Sequence, residues 1–136
     1  MSTRRKSVVA TLFPAVAALA WPVVGPSQVL AATEQATCTA DGTALQITAE
    51  DNKFDKDCMA VPADQTFTIE LDNEDWGIPH NVSLYDTGNG SKARYKGEVV
   101  YGPRKITYTV PAQAKGTYEF ICDPHAEIMR GTFLVG

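Results

Sequence analysis

Histidine is scarce in this chain. There are two, His80 and His125, beside three cysteines and three methionines among 136 residues. With no third histidine, the chain lacks the ligands that a protein with several histidine-ligated metal centres would need. The sequence also lacks a sustained helical period, an internal repeat and a low-complexity tract, which argues against helical bundles, solenoids and disordered segments. Its longest apolar run, Val8 to Val24, is shorter than the about 20 residues of a spanning helix and contains Pro14 and Pro22. Arg4, Arg5 and Lys6 precede that run and Val29-Leu30-Ala31 follows it, so residues 1–31 read as a cleaved export signal. The Thr3-Arg4-Arg5 start weakly resembles a twin-arginine signal. No cysteine stands at the cleavage point, so a lipid-anchored N-terminus is not indicated.

The expected organisation is therefore a signal over 1–31, a polar leader over 32–43 and a single domain over 44–136, with no transmembrane anchor after cleavage. The location would be periplasmic or otherwise secreted. Basic residues are sparse in that domain. Removing the signal takes three of twelve bases and none of the sixteen acids, leaving a net charge near −7. Such a surface repels nucleic acid and anionic membranes and favours basic partners.

An odd number of cysteines in an exported chain asks which one is unpaired. Cys38 and Cys58 lie near the start of the domain, far in sequence from Cys122. A Cys38–Cys58 disulfide is expected, with Cys122 a free thiolate, but the pairing depends on whether the Cβ atoms can approach.

What is present points to strands. ALQITA, TFTIEL, HNVSLY, GEVVY, KITYTV, TYEFIC and TFLV are rich in β-branched and aromatic residues, and they are separated by stretches rich in Gly, Pro, Asn and Asp. The expectation is an all-β fold, a Greek-key β-sandwich of about 7–8 strands. Side chains two apart on a strand share a face. Phe67, Ile69 and Leu71 fall together, as do Ile106, Tyr108 and Val110. By the same parity His80 sits with Val82 and Leu84, and Cys122 with Tyr118 and Phe120, each at the core-facing end of its strand. Strands facing one another across a sandwich would then bring His80 and Cys122 together at one rim.

The loop after Cys122 reads CDPHAEIM, placing His125 and Met129 on the turn before a final strand. Each residue alone has an ordinary explanation: a strand-end histidine, a packing methionine, a small buried cysteine. Together, both histidines, the cysteine without an obvious partner and one of two methionines outside the signal converge on one small region. Two imidazoles, a thiolate and a weak axial thioether suit copper, whereas structural zinc takes four stronger ligands. A trigonal site acceptable to both Cu(I) and Cu(II) lets an electron move with little rearrangement.

The pairing of PHNV, Pro79 to Val82, with CDPHAEIMRGT, Cys122 to Thr132, resembles the cupredoxins, the plastocyanin, amicyanin and pseudoazurin group of blue copper proteins. The resemblance implies strong copper ligation by His80, Cys122 and His125, with Met129 axial. It implies that Asn81 bridges the two ligand loops by hydrogen bonds near the Cys122 sulfur. It also implies that His125 exposes a ring edge through an apolar patch where redox partners dock. The gap from His125 to Met129 holds three residues, one more than in amicyanin-like loops and fewer than in plastocyanin-like ones, and Glu127 lies within it.

The expected function is that of a monomeric, non-enzymatic carrier of single electrons between a redox protein donor and acceptor, with one copper per domain. The rivals are an envelope protein that binds or delivers copper without an electron-transfer role, and a metal-free interaction domain. Trp76 and Ile78 are candidates for an apolar docking surface, and Asp72, Glu74 and Asp75 read as a solvated acidic loop. The stretch DTGNGSKARYKG reads as a flexible crossover.

Overall fold

A computed structural model of the chain describes residues 38–40, 42–88 and 92–136. The expected export signal and the first part of the polar leader lie outside the described residues. Among the described residues no helix is long and apolar enough to cross a membrane.

Among the described residues eleven strands form, in chain order β1 (Ala44–Glu50), β2 (Lys53–Phe54), β3 (Cys58–Val61), β4 (Phe67–Asn73), β5 (Pro79–His80), β6 (Ser83–Asp86), β7 (Ala93–Tyr95), β8 (Val100–Tyr101), β9 (Arg104–Val110), β10 (Gly116–Ile121) and β11 (Arg130–Val135). One sheet has the order β2-β1-β4-β9, the second β3-β11-β10-β6-β7, and β5 pairs with β8 as a separate ribbon. The fold is an all-β sandwich. Its count exceeds the expected seven or eight because HNVSLY splits at Asn81-Val82 into β5 and β6, and because β2, β3 and β7 are short pieces within stretches read as turns or not assigned.

Alternation in the sequence becomes the interior. Along β4, Phe67, Ile69 and Leu71 are buried; along β9, Tyr108 and Val110 are buried and Ile106 packs against them. Phe67 of the first sheet stacks on Phe133 of the second at 5.4 Å, and Phe54 meets Phe120 at 5.5 Å, so aromatic pairs join the layers. Gly131 is needed where β11 crosses Phe120: a Cβ there would lie 2.3 Å from the Phe120 ring and 2.5 Å from the Asp57 carbonyl oxygen.

Two connections position the site. β1 turns into β2 through Asp51 and Asn52, both with positive φ (52° and 55°), the conformation a two-residue hairpin requires and one that Asp and Asn tolerate. β6 runs antiparallel beside β10, with Ser83 opposite Ile121. The strand leading into Cys122 is thus an edge-to-edge neighbour of the one following His80 within a single sheet. This corrects the expectation of a meeting across the sandwich. Backbone hydrogen bonding, not face-to-face packing, sets the approach of the two segments.

Cys38 and Cys58 form a disulfide with a Cα separation of 5.7 Å, and Cys122 is free and buried.

Candidate metal centre

His80 ends β5, opposite Val100 of β8, and is fully buried. Its Nδ1 lies 3.5 Å from the Cys122 sulfur, while its Nε2 lies 2.7 Å from Oδ2 of Asp75. A carboxylate only accepts, so Nε2 carries the proton and the Nδ1 lone pair faces the sulfur.

The loop that delivers Asp75 is shaped by a buried amide. Asn73 donates to the carbonyls of Ile78 and Val100, each at 2.9 Å, and its Oδ1 accepts from the Asp75 N–H at 3.1 Å. Asp75 in turn accepts from the N–H groups of Asp51 (2.7 Å) and Asn52 (3.0 Å) in the β1–β2 turn. Desolvation opposes its charge, but the Asn52 amide, the His80 ring and the Asp51 amide outweigh that and hold the carboxyl below its ordinary range. The acidic loop read as solvated therefore contains one residue committed to a histidine. Asp75 was missed because its sequence neighbours Asp72 and Glu74 read as solvated acids. Its only sequence signal is a carboxylate in the short loop before His80.

Cys122 follows β10 and precedes a single 3-10 turn, Asp123–His125. Its own N–H bonds the Met129 carbonyl at 2.9 Å, and the Met129 N–H bonds the His125 carbonyl at 2.9 Å. These two bonds close the loop on itself, so a three-residue gap between His125 and Met129 still returns the methionine to the interior. Met129 is 1% exposed and packs in the same core as Cys122. Glu127 is exposed. His125 is half-buried, its Nδ1 3.6 Å from the Cys122 sulfur and its ring 4.8 Å from the His80 ring. Burial pushes the Cys122 thiol up; the backbone N–H groups of Asn81 and His125 oppose that shift.

Asn81 joins the two ligand segments. Its side chain accepts from the Asp123 N–H at 2.8 Å and donates to Asp123 Oδ2 at 2.8 Å and to the Gly97 carbonyl at 2.9 Å. Asp123 also accepts from Ser83 Oγ at 2.7 Å and from the Tyr85 hydroxyl, with Lys96 at 3.8 Å. Desolvation raises the Asp123 pKa, yet these hydrogen bonds bring it below the ordinary range. Asp123, Ser83 and Tyr85 were not singled out from sequence; adjacency to Cys122 was the one available signal.

The residues present fit a copper ion by the chemistry of their donors. The sulfur of Cys122 and ring nitrogens of His80 and His125 all lie within 4.8 Å of one another, in a site from which water is largely excluded. A soft thiolate, two imidazoles and an adjacent thioether are the set that selects copper over harder cations.

The chain matches a cupredoxin-like domain over residues 15–135. It belongs to that family. Among solved structures, auracyanin A, a "blue" copper protein from Chloroflexus aurantiacus, is similar at 24% identity and a TM-score of 0.62, covering 70% of this chain and 99% of that one. Amicyanin from Paracoccus versutus is 25% identical with a TM-score of 0.51, covering 73% and 85%. Rusticyanin from Thiobacillus ferrooxidans shares the fold at 15% identity and a TM-score of 0.59, covering 72% and 79%. No curated protein matches the chain.

Within this cupredoxin-like domain, large apolar side chains are exposed on segments next to the ligand residues. Trp76 is 84% exposed in the loop before His80, Tyr101 is 65% exposed opposite Pro79, and Ile128 is 66% exposed in the ligand loop. Trp76 belongs to the surface, not to the partial core that a tryptophan at a strand end often joins.

Proposed function

We propose that this protein is a blue copper electron carrier, in which one copper would be held by His80, Cys122 and His125 together with Met129. The observation that carries the reading is the convergence of one sulfur and two imidazole nitrogens within 4.8 Å. Copper, when bound, supplies a one-electron Cu(I)/Cu(II) couple. The chain's own part is to hold its donors still. His80 is fixed through Asp75, Cys122 and Met129 through backbone bonds across their loop, and both segments through Asn81. Donors held this way move little when the charge between them changes.

His125 is the half-buried member of the set, so electrons would enter and leave by its ring edge. Ile128, Trp76 and Tyr101 offer apolar contact for a donor and an acceptor protein, and the acidic surface favours basic partners. The carrier would act as a monomer and without catalysis. Arg4 to Lys6 and the apolar run behind them support export, with residues 1–31 removed and the domain working in the periplasm or outside the cell.

The visible absorption spectrum after addition of Cu(II), recorded beside Cys122→Ser, tests the reading. An intense thiolate-to-copper band that vanishes in the variant is expected. Stoichiometric copper without such a band would replace the carrier by a binding or delivery protein, and absence of binding would overturn a copper role altogether.

A further inference from the structure

The aspartate behind His80 sits in an arrangement too specific for a solvated acid. Its carboxylate has two oxygens and three N–H donors: His80 Nε2 at 2.7 Å, the Asp51 amide at 2.7 Å and the Asn52 amide at 3.0 Å. The side chain is only 12% exposed and the histidine is not exposed at all. Two of those donors come from a hairpin turn whose residues both adopt positive φ, a conformation that turns successive amides toward one point. The third is the ring nitrogen remote from Cys122. The Asn73 side chain, itself buried, fixes the start of the loop by accepting the Asp75 N–H. The carboxylate is thus held from three sides.

We propose that Asp75 is a positioning residue that sets both the tautomer of His80 and the balance between the two copper oxidation states. The inference rests on the copper reading of His80. By accepting the Nε2 proton, Asp75 leaves Nδ1 as the lone-pair donor directed at the site and makes the imidazole more basic. Its negative charge, separated from the Cys122 sulfur by the His80 ring and largely shielded from water, would favour the more highly charged Cu(II) over Cu(I). The β1–β2 turn is then part of the centre, because it is the turn's amides that keep the carboxylate in place.

The test uses the full chain and its Asp75→Asn variant, which keeps the shape but removes the charge and turns an amino group toward N–H donors. Asp75→Ser gives the same comparison should Asp75→Asn not fold. Nitrogen-15 spectra of the metal-free chain report the His80 tautomer, and competition titrations with Cu(II) and Cu(I) report the two affinities. Wild type is expected to hold the Nε2-protonated form, and the variant a mixture. Cu(II) affinity is expected to fall about tenfold to 100-fold, with Cu(I) affinity changing less. A tenfold selective loss raises the reduction potential by about 59 mV. A blue wild type whose variant keeps both the tautomer and the affinity ratio overturns the role of Asp75 alone. Equal loss for both oxidation states reduces it to a structural residue and overturns the tuning. A wild type without a thiolate-to-copper band overturns the carrier reading, and this inference with it.

Discussion

Removing the Asn81 side chain tests whether the link between the two ligand segments is structural as well as geometric. In Asn81→Ala the Asp123 N–H and the Gly97 carbonyl each lose a partner at 2.8 and 2.9 Å, and the Asp123 carboxylate loses one donor. Asn81 is fully buried, so water does not simply take its place. An orphaned buried group costs about 1–3 kcal/mol. Two such groups, with the Asp123 share discounted because that side chain is 28% exposed and regains water, give a loss of about 3 kcal/mol. Urea unfolding of the metal-free chain measures it. With a slope of about 2 kcal/mol/M, the midpoint falls by about 1.5 M at unchanged slope. Asn81→Asp is isosteric but sets a second carboxylate against Asp123, so it is expected to be at least as destabilising as alanine. A loss below about 1 kcal/mol in Asn81→Ala, or an Asn81→Asp variant more stable than Asn81→Ala, would refute the reasoning.

Gly131→Ala drives a methyl group into the Phe120 ring and the Asp57 carbonyl. A destabilisation of about 1–3 kcal/mol in the same urea assay is expected, and an unchanged midpoint counts against the described packing. Desolvation first of all raises the Tyr108 pKa well above its ordinary value of 10.0, so its neutral form is the one the fold favours. The stability this contributes is complete below about pH 10 and is lost as pH rises toward the folded value. Tyr108→Phe, which also gives up the hydroxyl bond to the Glu98 carbonyl, should therefore lose stability less steeply between pH 9 and 11; parallel curves would be inconsistent with that burial. Replacing Cys38 and Cys58 by serine opens a disulfide spanning 20 residues and should lower stability by about 3 kcal/mol, read from the thermal midpoint of both forms. Trp76→Ala, at a side chain 84% exposed, should change stability by less than about 0.5 kcal/mol while slowing electron exchange with a basic redox protein; unchanged exchange removes Trp76 from the docking surface.

Much of the site was legible in the sequence because strand parity is a local rule. Alternation alone puts Cys122 on the side of Tyr118 and Phe120, and all three are buried. The same rule fails where a strand breaks: Asn81 and Val82 lie between β5 and β6, and five consecutive residues from His80 to Leu84 are buried, so no alternation survives there. β3 escaped for a related reason. Met59, Ala60 and Val61 are all buried, which is no period-two pattern, and the strand's partner, β11, pairs with it in parallel from more than 70 residues away. Asp75 and Asp123 were out of reach because, apart from His80 five residues on from Asp75, the partners that hold their carboxylates lie 23 to 42 residues away. An acidic side chain in a loop looks the same in sequence whether it meets water or two backbone amides.

Three cysteines permit three different single disulfides, and two of those would consume the sulfur that the proposed centre needs. The finished fold resolves the choice by enclosure. Cys122 is fully buried, beyond contact with an oxidant or a stray thiol, while Cys38 and Cys58 are already joined at another edge of the domain. Protection of that kind exists only after β10 has docked between β6 and β11, so a newly made chain is chemically vulnerable until the sandwich closes. Fast closure of the sandwich would then guard against mispairing, and a destabilising change far from the ligands is expected to act on the centre by leaving its sulfur exposed for longer.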